Sequence, residues 1–386
     1  RAQDVAGSLR AGTSALLAAL DAAGARGISA LALGTDRRAA PAGTTQEMTT
    51  GHGAAAVVVG PGAGVARLLG TASLTVDFVD HFREAGSEFD YFWEERWVRE
   101  EGYNKLIPEL IARALDDADV KADSIDHFCF PVTISRVDKA VAGLAGLSEE
   151  SIEDNLFAGC GDTGAAHSLL MLVRALETAQ PGGKILVVSF GQGGDALVFE
   201  ATDAITGYQT RRSGVTQWLD RRAPLSYHRY LALEGLVKLA PGMRAEVDKP
   251  TAQTAAYRHR DFLLSLVGGR CTECDTRQIP RSTICVNPAC QKSDTQIPEP
   301  FAETMGTVVS WSADNLAYTP DPPAYYGMIN FEGGGRLMMD FANVSDGAVE
   351  VGQSMRMVFR VKNHDGQRGF TRYFWKAAPV EPGGAH

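Results

Sequence analysis

Four of the six cysteines crowd into one short stretch, as Cys271-x2-Cys274 and Cys285-x4-Cys290 with ten residues between the pairs. Two close thiol pairs at this spacing can surround one ion tetrahedrally. Thiolates are soft ligands, and a closed four-sulfur set leaves no open catalytic position. The spacing therefore predicts a structural zinc ribbon that folds a small lobe with little core of its own. Cys129 and Cys160 stand alone. Cys160, between Gly159 and Gly161 and ahead of a helix start, has the setting of a nucleophile, with His167 nearby; the reading adopted is a small packing residue in a tight turn. His127 and Cys129 alternate with Phe128 and Phe130 along one strand and read as core packing.

Three further segments have chemical potential. Gly51-His52-Gly53 precedes an apolar strand and is assigned to a turn or close backbone approach, not an oxyanion loop. Gly191-Gln192-Gly193-Gly194-Asp195 is glycine-rich but lacks the helix-opening layout of a phosphate cradle, so it reads as a hairpin turn. The run from Phe89 to Trp97 mixes aromatic and charged residues. It suits a subunit interface or a substrate-tunnel wall, with plain local packing left open.

The elements that must position these groups alternate between helices and short apolar strands. Ala11–Ala23 reads as a helix stopped by Gly24 and Gly27, Ile28–Leu33 as a buried strand closed by Gly34-Thr35-Asp36, and Ala54–Val59 as a second buried strand. Asn104–Asp116, Arg136–Leu144 and Thr163–Thr178 read as helices. Phe128–Val132, Lys184–Phe190 and Ala196–Ala201 read as strands. This alternation indicates a layered α/β body. Gly207 to Ala256 reads as a linker that wraps a neighbour, with one helical piece at Tyr230–Leu239. Beyond the cysteines the period changes to strands at Thr307–Trp311, Tyr325–Phe331, Arg336–Phe341 and Met355–Lys362, which suits a small β-barrel.

The 386 residues imply two or three domains, and 45% hydrophobic with 22% charged residues excludes disorder. No run of eighteen apolar residues predicts a membrane span, and Arg1-Ala2-Gln3-Asp4 lacks a signal-peptide layout, so a cytoplasmic protein is expected. The net charge of −10 opposes general nucleic-acid binding. From Arg258 onward 13 Lys+Arg face 14 Asp+Glu, where a single-strand reader stacking bases on Trp311, Tyr325, Tyr326 and Phe341 should be basic.

A helix, then Cys271-Thr-Glu-Cys274, Ile279-Pro280-Arg281, Cys285-x4-Cys290 and a β-barrel resembles the acyl-CoA-associated zinc-ribbon/OB family that accompanies thiolases and hydroxymethylglutaryl-CoA synthases. Three earlier segments, Gly7-Ser8-Leu9-Arg10-Ala11-Gly12-Thr13, Gly161-Asp162-Thr163-Gly164-Ala165-Ala166 and Phe190 to Asp195, resemble the later part of hydroxymethylglutaryl-CoA synthases and initiating ketoacyl synthases. The resemblance implies a thiolase-like body over 1–206, a wrapping segment over 207–256, a helix and zinc ribbon over 257–292 and an OB-fold over 293–380. It also implies opening strands and helices that either precede this sequence or come from another chain.

In those families a cysteine at a strand-to-helix turn attacks the thioester, a histidine serves as acid/base, and an asparagine donates from a Gly-Asn-Thr turn. The matching positions here hold Leu9, Pro131 and Asp162. The resemblance therefore leads us to expect a non-catalytic subunit that handles a CoA thioester beside a separate active thiolase, in a hetero-oligomer. The alternatives are an active synthase-like acyltransferase and an OB/zinc-ribbon nucleic-acid adaptor.

Overall fold

The Ala11–Arg26 helix begins the ordered framework and ends where Gly27 turns left-handed, so it runs through Gly24 and one turn beyond the expected stop. Its buried side, with Leu16, Ala19 and Ala23, faces an antiparallel pair made by β1 (Ala30–Arg37) and β2 (His52–Val59). Both strands were expected to be buried. Each instead alternates, with Ala32, Ala55 and Val59 inward while Leu31 is 63% and Val58 73% exposed. Gly34-Thr35-Asp36 continues β1 instead of closing it.

This computed structural model describes residues 1–386 except 210–213, 220–224, 239, 241–251, 318, 320–321, 345–346, 367 and 381–386. The chain divides into one unit over Arg1–Leu225 and another over Ser226–Gly384. Parts of the segment expected to act as a linker lie outside the described residues. The helical piece expected at Tyr230–Leu239 is Tyr227–Glu234.

The first unit is built on a four-stranded sheet ordered β3 (Ala66–Thr75), β8 (Gly193–Ala201), β7 (Lys184–Phe190), β6 (His127–Cys129). β7 is antiparallel to β8 and parallel to β6. A strand buried on both sides serves two cores, and β7 does so residue by residue. Ile185 and Val187 join a cluster with the Ala11–Arg26 and His167–Leu176 helices; Leu186 and Val188 join another with the Asn104–Asp117 and Val137–Leu144 helices. The layers are thus a two-stranded sheet, helices, a four-stranded sheet and helices. Ile107, Leu110 and Ile111 are fully buried, and truncating any one to alanine removes about 2–5 kcal/mol. A short ribbon of β4 (His81–Phe82) and β5 (Tyr91–Phe92) projects between β3 and the Asn104–Asp117 helix in sequence.

In the second unit β9 (Val267–Cys271) lies between β10 (Arg277–Gln278) and β11 (Gln296–Pro300), preceded by helices Gln253–Arg258 and Arg260–Ser265. A five-stranded sheet follows in the order β14 (Arg336–Asp340), β13 (Ala324–Phe331), β12 (Gly306–Asp314), β15 (Ser354–Asp365), β16 (Phe370–Pro379). A Phe341–Ala377 bridge, with the Ala342 amide donating to the Ala377 carbonyl at 2.8 Å, closes it into a barrel. Val308, Ile329, Met355 and Ala377 fill the interior together with Phe301.

Candidate active site and candidate metal centre

The turn that carries Leu9 is fixed by one carboxylate. Asp195, 2% exposed, accepts from Arg10 Nη1 at 3.3 Å, Thr13 Oγ1 at 3.0 Å, Ser14 Oγ at 2.7 Å and Ser73 Oγ at 2.8 Å. The start of the helix, β3 and the β7–β8 hairpin are thereby tied to one buried charge. Ser8 Oγ also donates to the Gly191 carbonyl at 2.9 Å. Gly191, at φ +158°, has no room for a side chain, because a Cβ would come within 2.5 Å of Ser8 Oγ. The expected hairpin turn is present but confined to Gly191 and Gln192, since Gly193, Gly194 and Asp195 already belong to β8, and Gly191 permits this close approach.

Leu9, Pro131 and Asp162, far apart in sequence, line one cavity of about 30 Å³ with Asp80, Tyr103, Ser189 and Phe190. Leu9 also lines a larger cavity of about 360 Å³ with Thr35, Asp36, Arg38, His81, Arg83 and Asp90. Sequence reasoning identified the first three residues but missed the charged set around them. Arg38, almost fully buried, is ion-paired to Asp162, donates to Asp90 Oδ2 at 3.0 Å and lies 3.0 Å from His81 Nε2. Burial works against this charge, but Asp162 and Asp90 outweigh it and hold the guanidinium above its ordinary pKa.

Tyr103 Oη donates to Asp80 Oδ2 at 2.7 Å, and His81 Nδ1 lies 2.9 Å from Asp80 Oδ1. Burial pushes the Tyr103 phenol well above its usual range, and the Asp80 charge adds to this. Burial also pushes the Asp80 carboxyl up, but the His81 ring and the phenol overcome it and hold Asp80 below the usual range. A protonated phenol therefore faces an ionised carboxylate at the cavity wall. The phenol's one proton is held by Asp80, so the pair can serve proton transfer where a ligand's carbonyl oxygen takes over that hydrogen bond and frees the carboxylate.

The remaining sequence candidates have structural partners. His167 accepts from the Thr163 amide at Nδ1, 3.0 Å, and its Nε2 lies 2.7 Å from the Asn155 carbonyl, which fixes a neutral tautomer in the interior. Burial first, then Asp162 and Asp154, raise the Cys160 thiol, the opposite of an activated nucleophile. The Cys160 carbonyl packs on Gly51, where a Cβ would come within 1.8 Å of it. His127 Nδ1 pairs with Glu153 Oε1 at 2.5 Å beside buried Cys129.

In the second unit the four cysteine sulfurs lie within 4.8 Å of one another. Cys271 and Cys290 are 3.8 Å apart and Cys274 and Cys285 3.5 Å. A tetrahedron with metal–sulfur bonds of about 2.3 Å has sulfur–sulfur edges of about 3.8 Å, so the quartet fits one tetrahedral ion. Thr295 Oγ1 is 3.2 Å from the Cys271 sulfur and Thr276 Oγ1 3.2 Å from that of Cys274. The Thr295 hydroxyl holds the Cys271 thiol down to about 6. These hydroxyls orient and stabilise thiolate ligands.

Residues 115–199 match the family described as 3-oxoacyl-[acyl-carrier-protein (ACP)] synthase III C terminal, and residues 300–360 match the ChsH2 C-terminal OB-fold domain. A hydroxymethylglutaryl-CoA synthase from Methanopyrus kandleri is 29% identical over 54% of this chain and 60% of its own length. One from Caldivirga maquilingensis is 28% identical over 62% and 69%. The chain thus spans about 60% of the Methanopyrus protein.

Among solved structures, PksG, an HMG-CoA synthase from Bacillus subtilis, aligns at a TM-score of 0.50 with 17% identity, over 64% of this chain and 69% of PksG. MvaS in complex with 3-hydroxy-3-methylglutaryl coenzyme A aligns at 0.50 with 17% identity, over 65% and 69%. The body is therefore a thiolase-like α/β fold followed by an all-β region that matches an OB-fold domain.

These relatives correct the expectation of a non-catalytic subunit. They are named for a catalytic activity and favour the active-synthase alternative. That expectation rested on three replaced side chains and overlooked the Tyr103–Asp80 pair on the same cavity.

Proposed function

We propose that this chain, a thiolase-fold body of the hydroxymethylglutaryl-CoA synthase and ketoacyl synthase type joined to a ChsH2-type OB region, is an enzyme acting on a CoA thioester to form or cleave a carbon–carbon bond. The convergence of Leu9, Pro131, Asp162, Tyr103 and Asp80 on one cavity carries this reading, and the named relatives support it. The larger cavity, within the usual size range of ligand sites, would receive the thioester, and Leu9 lines both it and the small cavity that Asp80 and Tyr103 line. With a hydrocarbon at position 9 the acyl group is not transferred to that side chain. Proton transfer at the thioester's α-carbon and carbonyl oxygen falls instead to Asp80 and Tyr103.

Zinc is the ion the cysteine quartet would hold, as a structural centre, because four thiolates close its coordination shell. Cysteine ligands of this kind keep their thiolate form in a reducing compartment, which supports a cytoplasmic location; no helix among the described residues is long and apolar enough to cross a membrane. A thiolase-type subunit is the partner we propose for a hetero-oligomer, with the acyl-CoA ester as the shared ligand.

The test uses 3-hydroxy-3-methylglutaryl-CoA and CoA in titration calorimetry, followed by mass-spectrometric analysis of thioester turnover. Wild-type chain should bind and turn over a thioester, and Tyr103→Phe should keep binding within about threefold while losing about 100-fold or more in rate. Equal rates for the two proteins would reject the assignment.

A further inference from the structure

The β4–β5 ribbon and the residues after it carry an aromatic surface of which only Phe82 also lines the larger cavity. Phe82, Tyr91, Trp93 and Trp97 are all exposed, Tyr91 at 59% and Trp93 at 43%, yet they are ordered against one another. Trp93 is the hub, with ring centroids 5.9 Å from Tyr91, 6.0 Å from Phe82 and 5.7 Å from Trp97. Exposed rings held in mutual contact lose little conformational entropy when a partner covers them, which is the property of interface hot spots.

The charge around these rings identifies the kind of partner. Residues 77–101 contain nine Asp+Glu and three Arg, so this short segment holds more than half of the chain's net charge of −10. Its arginines are already met by carboxylates of the same segment: Arg83 by Asp90 at 3.6 Å, Arg96 by Glu100 at 3.1 Å and Arg99 by Glu95 at 3.9 Å. Glu84 and Glu88, exposed in the loop between β4 and β5, have no ion-pair partner among the described residues. Glu94 is turned toward the amides of Arg96 and Trp97. A second copy would bring the same negative rim and be repelled, as would an anionic membrane. Aromatic faces beside unpaired carboxylates suit lysine and arginine, which bind both by cation–π contact and by charge.

We infer that this face is the docking surface for a cationic protein partner, whose basic side chains lie over Tyr91 and Trp93 and pair with Glu84 and Glu88. The inference does not depend on the proposed catalytic activity and is tested by binding alone. The probe is a fluorescein-labelled nona-arginine peptide, with anisotropy read on the full chain. Wild type should bind at low ionic strength, and binding should fall at about 0.5 M salt as screening shortens the field. Trp93→Ser with Tyr91→Ser, and separately Glu84→Lys with Glu88→Lys, should each weaken binding about tenfold or more. Trp93→Phe, which keeps a ring, should stay within about threefold. Glu303→Lys with Glu350→Lys removes the same charge from the other unit and should change little. Equal losses from the two charge-reversal pairs would reduce the effect to net charge and overturn the inference. So would binding indifferent to position 93, or a wild-type dimer that Trp93→Ser dissolves, which would make a second copy the occupant.

Discussion

Replacing Asp195 with alanine should loosen the whole entrance to the candidate site, because one carboxylate accepts hydrogen bonds from the start of the helix and from β3 while itself lying on β8. In Asp195→Ala the guanidinium of Arg10 and the hydroxyls of Thr13, Ser14 and Ser73 lose their common acceptor. Removing one member of a buried ion pair costs about 3–5 kcal/mol. Arg10 retains some contact with water and keeps the Leu74 and Gly194 carbonyls, at 3.1 and 3.2 Å, so the lower end applies. Thr13 also keeps Ser189 at 2.6 Å and the Arg10 carbonyl at 2.9 Å. The net loss should be about 3 kcal/mol, and about 1–2 kcal/mol for Asp195→Asn, which keeps one acceptor oxygen.

The assay is urea unfolding followed by segment-resolved hydrogen exchange, so that the first unit is read separately from the second. Protection should fall in residues 8–14, 71–75 and 189–195 before it falls elsewhere, and affinity for the CoA thioester should fall with it. A change under about 1 kcal/mol, or unaltered exchange in those segments, would refute the claim that Asp195 fixes the Leu9 turn.

Gly51→Ala should cost about 3 kcal/mol or prevent folding, measured by thermal melting, since its Cβ would meet the Cys160 carbonyl and neither backbone can yield. Burial holds the His167 pKa below its ordinary value, so the imidazole's contribution to stability is complete above about pH 6.5 and is lost as pH falls through the folded pKa. Melting curves should therefore decline on that acid limb, and His167→Gln, which cannot be protonated, should flatten it. Elemental analysis should find one zinc per chain. A strong chelator, or Cys285→Ser, should remove it and abolish exchange protection in β9 and β11 while leaving β7 and β8 protected.

Much of this architecture was legible because apolar periodicity dominates the central elements. Lys184–Phe190 has one reading, and its flanking Gly-rich turn fixes the hairpin with Ala196–Ala201. The cysteine quartet was equally clear, since ligand spacing is a local property. β3 was missed: Ala66–Thr75 mixes Gly, Ala, Ser and Thr without a clean alternation, and its register slips between Leu68 and Gly70. Only pairing with buried β8 makes it a strand, a tertiary cause that no local pattern shows.

The site divides in the same way. Leu9, Pro131 and Asp162 were found by their place in motifs, and the fold brings them to one cavity. Arg38, Asp80 and Tyr103 carry no motif. Their roles follow from burial and from partners tens of residues away, as in the Tyr103–Asp80 bond and the Arg38–Asp162 pair. The outward faces of β1 and β2 were read as buried because Leu31 and Val58 are apolar. Composition alone cannot show which side of a strand is covered.

Reactivity at position 9 addresses the CoA-thioester site most directly. In Leu9→Cys, an introduced thiol reports on the larger cavity that this position lines, and iodoacetamide labelling with peptide mass mapping reads its modification against the chain's own Cys160. If the cavity receives a CoA thioester, saturating 3-hydroxy-3-methylglutaryl-CoA should slow labelling at position 9 about tenfold or more while leaving Cys160 unchanged. Labelling at position 9 that proceeds at the same rate with and without the ligand would contradict the account.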